Sequence, residues 1–209
     1  LKIEGIYLEP DGNFPNHPAN PLVKENLADL SALVRSKKLD CGIAFDGDGD
    51  RAILVDENGE PVSPSVVGAM LAEQFLKVSP GATVLYNAIT SRVVADTIKK
   101  LGGKGVRTKV GHSFIKQLMR EKSAVFACEH SGHYYFKANY NADSGLIAAL
   151  CVLAVMSQSG QRLSELVSNY TGKYFDSGEI NFAVTDKGKA MGEVTGAFPD
   201  GQTDTLDGD

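Results

Sequence analysis

The amino-acid sequence predicts an α/β protein: two consecutive α/β/α units with mixed, mainly parallel sheets, followed by the start of a further domain. Three observations carry this. From residue 40 onward, short β-branched or apolar runs alternate with longer segments of helical period, the pattern of parallel strands joined by right-handed crossover helices. Turn-rich punctuation at 57–60 and a polar, glycine-rich composition after 170 place unit boundaries near 60 and near 170. Polar loops recur at the ends of predicted strands, where ligands of parallel α/β units bind.

Residues 3–9 are expected to form a short strand. A loop carrying four prolines follows from 9 to 21. Leu27, Leu30, Leu33 and Val34 recur at helical spacing, predicting one amphipathic helix over 22–37 with Asn20 as a candidate cap. Strands are expected at 40–45 and 51–55, with an acidic turn between them. Ser63-Pro64 announces a helix reaching Val78. Next come a strand at 82–86, a helix at 91–101 closed by Gly102-Gly103, a strand at 105–109 and a helix at 111–122. A strand at 124–128, a short strand at 133–137, a strongly apolar helix at 143–156 and a short helix at 163–170 complete the second unit. The stretch after 170 reads as a linker, and 203–209 as the start of a strand. Leu1 is not an initiator methionine and no secretory pattern follows it, so a longer natural chain is expected.

At 209 residues the chain exceeds the usual ~100–150-residue domain. Its 43% hydrophobic and 22% charged residues are ordinary for a soluble globular protein and argue against a fibrous or disordered one. A net charge of −5 without a lysine-arginine cluster argues against nucleic acid and anionic lipid as partners. The longest apolar run, 145–156, is short of the ~20 residues that cross a bilayer. Cys41, Cys128 and Cys151 are odd in number and unpaired in spacing, which suits buried thiols in a reducing cytoplasm.

The most informative stretch is Phe45-Asp-Gly-Asp-Gly-Asp-Arg51. Asp46, Asp48 and Asp50, separated only by glycines, would simply repel one another without a cation among them. Oxygen donors of this kind suit Mg²⁺ or Ca²⁺. With Glu57 the spacing matches an EF-hand loop, but Arg51 stands where that loop needs glycine and strands flank it. Gly47, Gly49 and Ala52 match a dinucleotide fingerprint, yet a pyrophosphate there would meet three carboxylates. A solvated acidic turn is the bland alternative, and Arg51 counts against it by suggesting a bound anion such as phosphate. A second constellation, Glu129-His-Ser-Gly-His133, follows a predicted strand. If extended, Glu129 and Ser131 would point the same way and could bond vicinal sugar hydroxyls. A polar loop whose histidines cap turns is its plain alternative. A third candidate is Gly111-His-Ser-Phe-Ile-Lys116, where His112 at a helix start could serve a phosphate as acid/base or merely cap the helix.

Taken in order, FDGDGDR at 45–51, VGHSFIK at 110–116 and EHSGHYYFK at 129–137 resemble the α-D-phosphohexomutase superfamily, the phosphomannomutases and phosphoglucomutases. The resemblance covers roughly residues 1–170. It implies four domains, with 1–60 an incomplete second domain, 61–170 the third, and 171–209 a linker and the start of an incomplete fourth. Asp46, Asp48 and Asp50 would hold Mg²⁺ together with a phosphoserine on the first domain, and Arg51 would steady that phosphoserine. Glu129, Ser131 and His133 would bind the sugar, and His112 would give acid/base help. The implied reaction moves a phosphoryl group between O1 and O6 of a hexose, mannose favoured over glucose, through a bisphosphorylated sugar. The implied partners are hexose phosphates and the first and fourth domains of the same protein.

Two departures stand out. Ile89 lies about where many members have a lysine, with Arg92 as its candidate replacement, and Cys128 stands where glycine is common. The phosphoserine loop itself does not occur in these residues, so the 209 residues alone are expected to be inactive. A noncatalytic sugar-phosphate or metal-binding module is the alternative of a different class. A Mg²⁺ phosphatase using Asp46 as nucleophile is a third.

Overall fold

A computed structural model describes residues 1–175 and 182–201. The chain divides into two compact units, Leu1–Tyr174 and Phe175–Asp209.

In the first unit the opening residues form turns, not the expected strand. Tyr7 adopts φ 56°, which turns the backbone out of extension, and no described strand offers residues 3–9 a ladder. A 3-10 turn, Lys24–Leu27, leads into α1, Ala28–Lys37. The single helix expected from 22 therefore starts later, and Asn20 Oδ1 accepts from the Leu22 N–H (3.2 Å) instead of capping α1. Strands β1 (Gly42–Phe45) and β2 (Ala52–Val55) pair antiparallel, Gly42 opposite Val55 and Phe45 opposite Ala52, so the acidic turn is the loop of a hairpin. Leu27 and Val34 pack on Ile53 and Val55 beneath α1.

The rest of the unit follows the predicted alternation: α2 (Pro64–Val78), β3 (Thr83–Asn87), α3 (Arg92–Lys100), β4 (Lys104–Thr108), α4 (His112–Glu121) and β5 (Phe126–Cys128). Then come β6 (Tyr134–Phe136), β7 (Ala142–Asp143), α5 (Gly145–Ser159) and α6 (Leu163–Ser168). The sheet order is β4-β3-β5-β6-β7; β3 runs parallel to β4 and β5, whereas β5-β6 and β6-β7 are antiparallel. The apolar helix starts two residues later than its composition suggested, because Asp143 still belongs to β7 and Ser144 Oγ caps α5 through the Ile147 N–H (3.2 Å).

Period-2 alternation makes the layers. Val84, Phe126, Cys128, Tyr134 and Phe136 face one core with α2, α3 and α5, while Leu85, Ala127 and Tyr135 face the other with Ile115 and Met119 of α4. Leu54 of β2 joins the first core, so the hairpin and the five-stranded sheet share packing. The three cysteines are free. Burial pushes the Cys41 thiol up to about 11, helped by Asp40 and Glu57, which keeps it an unreactive thiol at neutral pH.

The second unit contains one described helix, α7 (Lys187–Ala197), where the composition suggested only a linker; Asp186 Oδ1 caps it through the Lys189 N–H (3.0 Å). The strand expected at 203–209 lies outside the described residues. No described helix is long and apolar enough to cross a membrane.

Candidate functional site

The acidic turn is folded around Asp46. Its Oδ1 accepts from the backbone N–H groups of Gly49 and Arg51 (both 3.1 Å), and its Oδ2 from Arg51 Nε at 2.6 Å. Burial opposes the Asp46 charge, but the Arg51 side-chain and backbone hydrogen bonds outweigh it and hold the carboxyl below its usual range. Arg51 Nη1 also reaches Asn20 Oδ1 at 3.4 Å. Asp48 is exposed and Asp50 half-buried, and one carboxylate oxygen from each of Asp46, Asp48 and Asp50 lies within 4.8 Å of the others. Burial raises the Asp50 carboxyl, and Asp46, Asp48 and Asp143 add to this while His133 opposes it. An all-oxygen set of crowded carboxylates fits a hard divalent cation.

Residues 129–133 form a closed turn, not the extended segment the spacing suggested. The Glu129 N–H donates to His133 O (3.0 Å) and the Gly132 N–H to Glu129 O (3.2 Å). Glu129 points inward, 2% exposed, and accepts from Asn87 Nδ2 (2.7 Å) and the Tyr135 hydroxyl (2.6 Å). Ser131 Oγ lies 2.7 Å from His133 Nδ1. The two loops are joined through the backbone: Arg51 bridges His133, and the Ala52 N–H donates to Gly132 O (3.2 Å).

His133 Nε2 approaches Asp50 Oδ1 at 3.3 Å, and its ring meets that of His112 edge-on with centroids 4.2 Å apart. His112 opens α4 and puts Nδ1 2.7 Å from Asp143 Oδ2, whose Oδ1 takes Lys116 Nζ at 2.8 Å. Burial and the neighbouring His112 depress the His133 imidazole against the pull of Asp50, Glu129 and Asp143, favouring the neutral ring. Burial works to raise Asp143, but Lys116 and then His112 hold it low.

All eight sequence-selected residues therefore fall in one region: Asp46, Asp48, Asp50, Arg51, His112, Glu129, Ser131 and His133. Arg92 opens α3 on the surface and lends charge to Asp96, and Ile89 is exposed. Sequence reasoning missed Asn87, Lys116, Tyr135 and Asp143. Asn87 was findable as a polar residue ending a strand, and Lys116 closes the 110–116 motif. Asp143 showed only as a polar residue opening an apolar run. A groove of about 700 Å³, lined in part by Tyr7, Phe14, Leu30, Phe45 and Leu150, meets the region only at Asp46 and Gly47.

The fit between α5 and the acidic turn leaves no room at Gly145. A Cβ there would lie 2.5 Å from Arg51 O and 3.0 Å from Gly49 O, both backbone atoms that cannot rotate away. Gly145→Ala is expected to destabilise the chain by about 1–3 kcal/mol, the range for overpacking, read by urea unfolding. Unchanged stability would show that the helix can withdraw without cost.

Fold and region together define an α/β/α protein with a carboxylate triad and two imidazoles gathered at strand ends. Comparison with known families assigns the parts. Residues 63–174 match the family model described as phosphoglucomutase/phosphomannomutase, alpha/beta/alpha domain III, and residues 2–59 match domain II. The chain belongs to the phosphoglucomutase/phosphomannomutase family. It is 40% identical over 199 residues to a phosphomannomutase of Methanocaldococcus jannaschii, covering 95% of this chain and 44% of that protein. A phosphomannomutase of Vibrio cholerae is also 40% identical, over 195 residues, 93% of this chain and 42% of that one. Among solved structures, a phosphoglucomutase/phosphomannomutase family protein of Burkholderia thailandensis superposes with a TM-score of 0.74 at 36% identity, over 78% of this chain and 35% of that chain. The chain thus spans less than half the length of these relatives.

Proposed function

We propose that this chain supplies the metal-holding and sugar-recognition parts of a cytoplasmic phosphohexomutase. The complete enzyme moves a phosphoryl group between O1 and O6 of a hexose through a phosphoserine and a bisphosphorylated sugar. Mannose phosphates are the favoured substrates and glucose phosphates the second candidates. The observation that carries this reading is the backbone seam at Arg51–His133, which sets the carboxylate triad against the sugar-recognition turn. The names of the relatives favour mannose. In the same reading, 1–60 belongs to a second domain, 61–170 to a third and 171–209 to the start of a fourth.

Asp46, Asp48 and Asp50 would hold Mg²⁺, which when bound supplies charge neutralisation to a phosphoryl oxygen. Arg51, steadied on Asp46, brings a fixed cation to the same place. Glu129 is held by Asn87 and Tyr135 with a lone pair left on each oxygen for a sugar hydroxyl, and Ser131 and His133 complete that contact. His112 exchanges the hydroxyl proton, with Asp143 beside its Nδ1 to stabilise the imidazolium. In-line phosphoryl transfer asks for little more than positioning and charge.

The test is an assay of the complete reading frame with mannose 1-phosphate, Mg²⁺ and a hexose 1,6-bisphosphate. Mannose 6-phosphate should form, and His112→Ala should lower kcat by roughly 10²–10⁴-fold, the usual share of general acid–base catalysis. The 209 residues alone should turn nothing over; mutase activity from them would overturn the assigned roles. A complete reading frame that binds sugar phosphate without converting it would establish the noncatalytic module instead. Arg92 belongs to the scheme only if Arg92→Ala lowers kcat/KM of the complete enzyme.

A further inference from the structure

We propose that Asp50, His112, His133 and Asp143 form a second cation site, suited to a transition ion of the Zn²⁺ class, beside the all-oxygen triad and sharing Asp50 with it. One ligand atom from each of the four lies within 4.8 Å of all the others. Within the group, His133 Nε2 lies 3.3 Å from Asp50 Oδ1 and His112 Nδ1 lies 2.7 Å from Asp143 Oδ2. Four ligands at ~2.0–2.1 Å from Zn²⁺ in a tetrahedron stand about 3.3 Å apart. The first pair already has that spacing. The second must open slightly, and any separation near the 4.8 Å bound must close, adjustments that fall to the half-exposed His112 side chain.

Two further observations point to an ion. The Asp143 side chain is only 6% exposed, and among the described residues its Oδ2 has no aligned hydrogen-bond donor despite the nearness of His112. A buried acceptor left in that state is costly unless a positive charge faces it. The second observation is how His133 is held. Ser131 Oγ at 2.7 Å and Glu129 Oε2 at 3.5 Å engage its Nδ1 from behind, leaving Nε2 toward Asp50, the way ligating histidines are oriented by their outer partners. Lys116 opposes a cation here, but its ammonium sits on the other oxygen of Asp143. Imidazole with carboxylate favours Zn²⁺, Ni²⁺ or Co²⁺ over Mg²⁺, the reverse of the triad's preference. Two sites of different hardness thus compete for Asp50. On the mutase reading, an ion in the second site takes the lone pairs of both imidazoles and inhibits; that consequence rests on the reading, whereas the binding does not.

The probe is Co²⁺ titrated into the 209-residue chain with Mg²⁺ present. The expected result is a visible ligand-field band together with paramagnetically shifted imidazole signals from two rings, with His17 and His130 unshifted. His112→Gln and Asp143→Asn, checked for folding by circular dichroism, should each weaken Co²⁺ binding by at least about tenfold, the least that even outer-shell losses cost. Asp48→Asn, which alters only the triad, should not weaken Co²⁺ binding and should strengthen it where Mg²⁺ competes for Asp50. Absence of shifted imidazole signals in the unmutated chain overturns the proposal, as does an equal loss of Co²⁺ affinity in Asp48→Asn and Asp143→Asn. None of these readouts depends on mutase activity, so a failed turnover assay leaves them standing.

Discussion

Replacing Glu129 by alanine is expected to lower the unfolding free energy by about 3–5 kcal/mol. The carboxylate is buried and receives both Asn87 Nδ2 and the Tyr135 hydroxyl. Truncation orphans two donors in the interior and opens a cavity beneath the turn, and each unsatisfied group alone costs about 1–3 kcal/mol. Over a chain of this size the loss corresponds to a Tm fall of roughly 10 °C. Glu129→Gln keeps the volume and one acceptor, so about 1–2 kcal/mol is expected from one mismatched donor. Chemical denaturation of the two variants separates the roles. If alanine is tolerated as well as glutamine, the carboxylate serves ligand recognition alone and not the fold.

The second large effect divides the acidic turn. Asp46 and Asp48 stand two residues apart, yet only Asp46 is tied to Arg51 and to the backbone of its own turn. Asp46→Asn should cost about 2 kcal/mol of stability, the scale of lost charge-assisted hydrogen bonds. Asp48→Asn, on the surface, should stay within about 0.5 kcal/mol. Both should weaken Mg²⁺ binding by tenfold or more, on the order of what even outer-shell losses cost, read by calorimetry. The pH dependence has a definite sign. Because Asp46 sits below its usual range in the folded chain, its contribution is present above the unfolded value of about 3.9 and lost as pH falls through the folded one. The acid limb of the stability curve should therefore be shallower in Asp46→Asn than in the unmutated chain. Parallel limbs would mean that the Arg51 contact contributes nothing net.

The alternation of elements was legible from 40 to 168 because apolar period and turn chemistry agree there, and the sheet's two faces can be read from Leu85, Ala127 and Tyr135 against their neighbours. The N-terminal segment was not legible: residues 3–9 have strand composition, but a strand needs a ladder, and ladders are tertiary facts. Helix α7 escaped because its glycines at 188, 192 and 196 lower helix propensity and imitate a linker. In the site, spacing alone identified the triad, since carboxylates held apart only by glycines repel one another until a cation joins them. It could not show how Glu129 is held, because the pairing with Asn87 spans 42 residues and turns the carboxylate inward. Asp143 could not be found from spacing at all, because its meaning comes from β7 lying next to β6 and from α4 bringing His112 and Lys116 to it.

The seam between Ala52 and Gly132 has a mechanical consequence. Two loops about 80 positions apart in the chain are latched by main-chain contacts, with Leu54 anchored in the larger core behind them. A hinge cannot run between the carboxylates and the 129–133 turn without breaking that latch. They form a fixed anvil. On the mutase reading, a bisphosphorylated sugar that must present first one end and then the other does the turning itself, because the two loops cannot swing apart to present a second face.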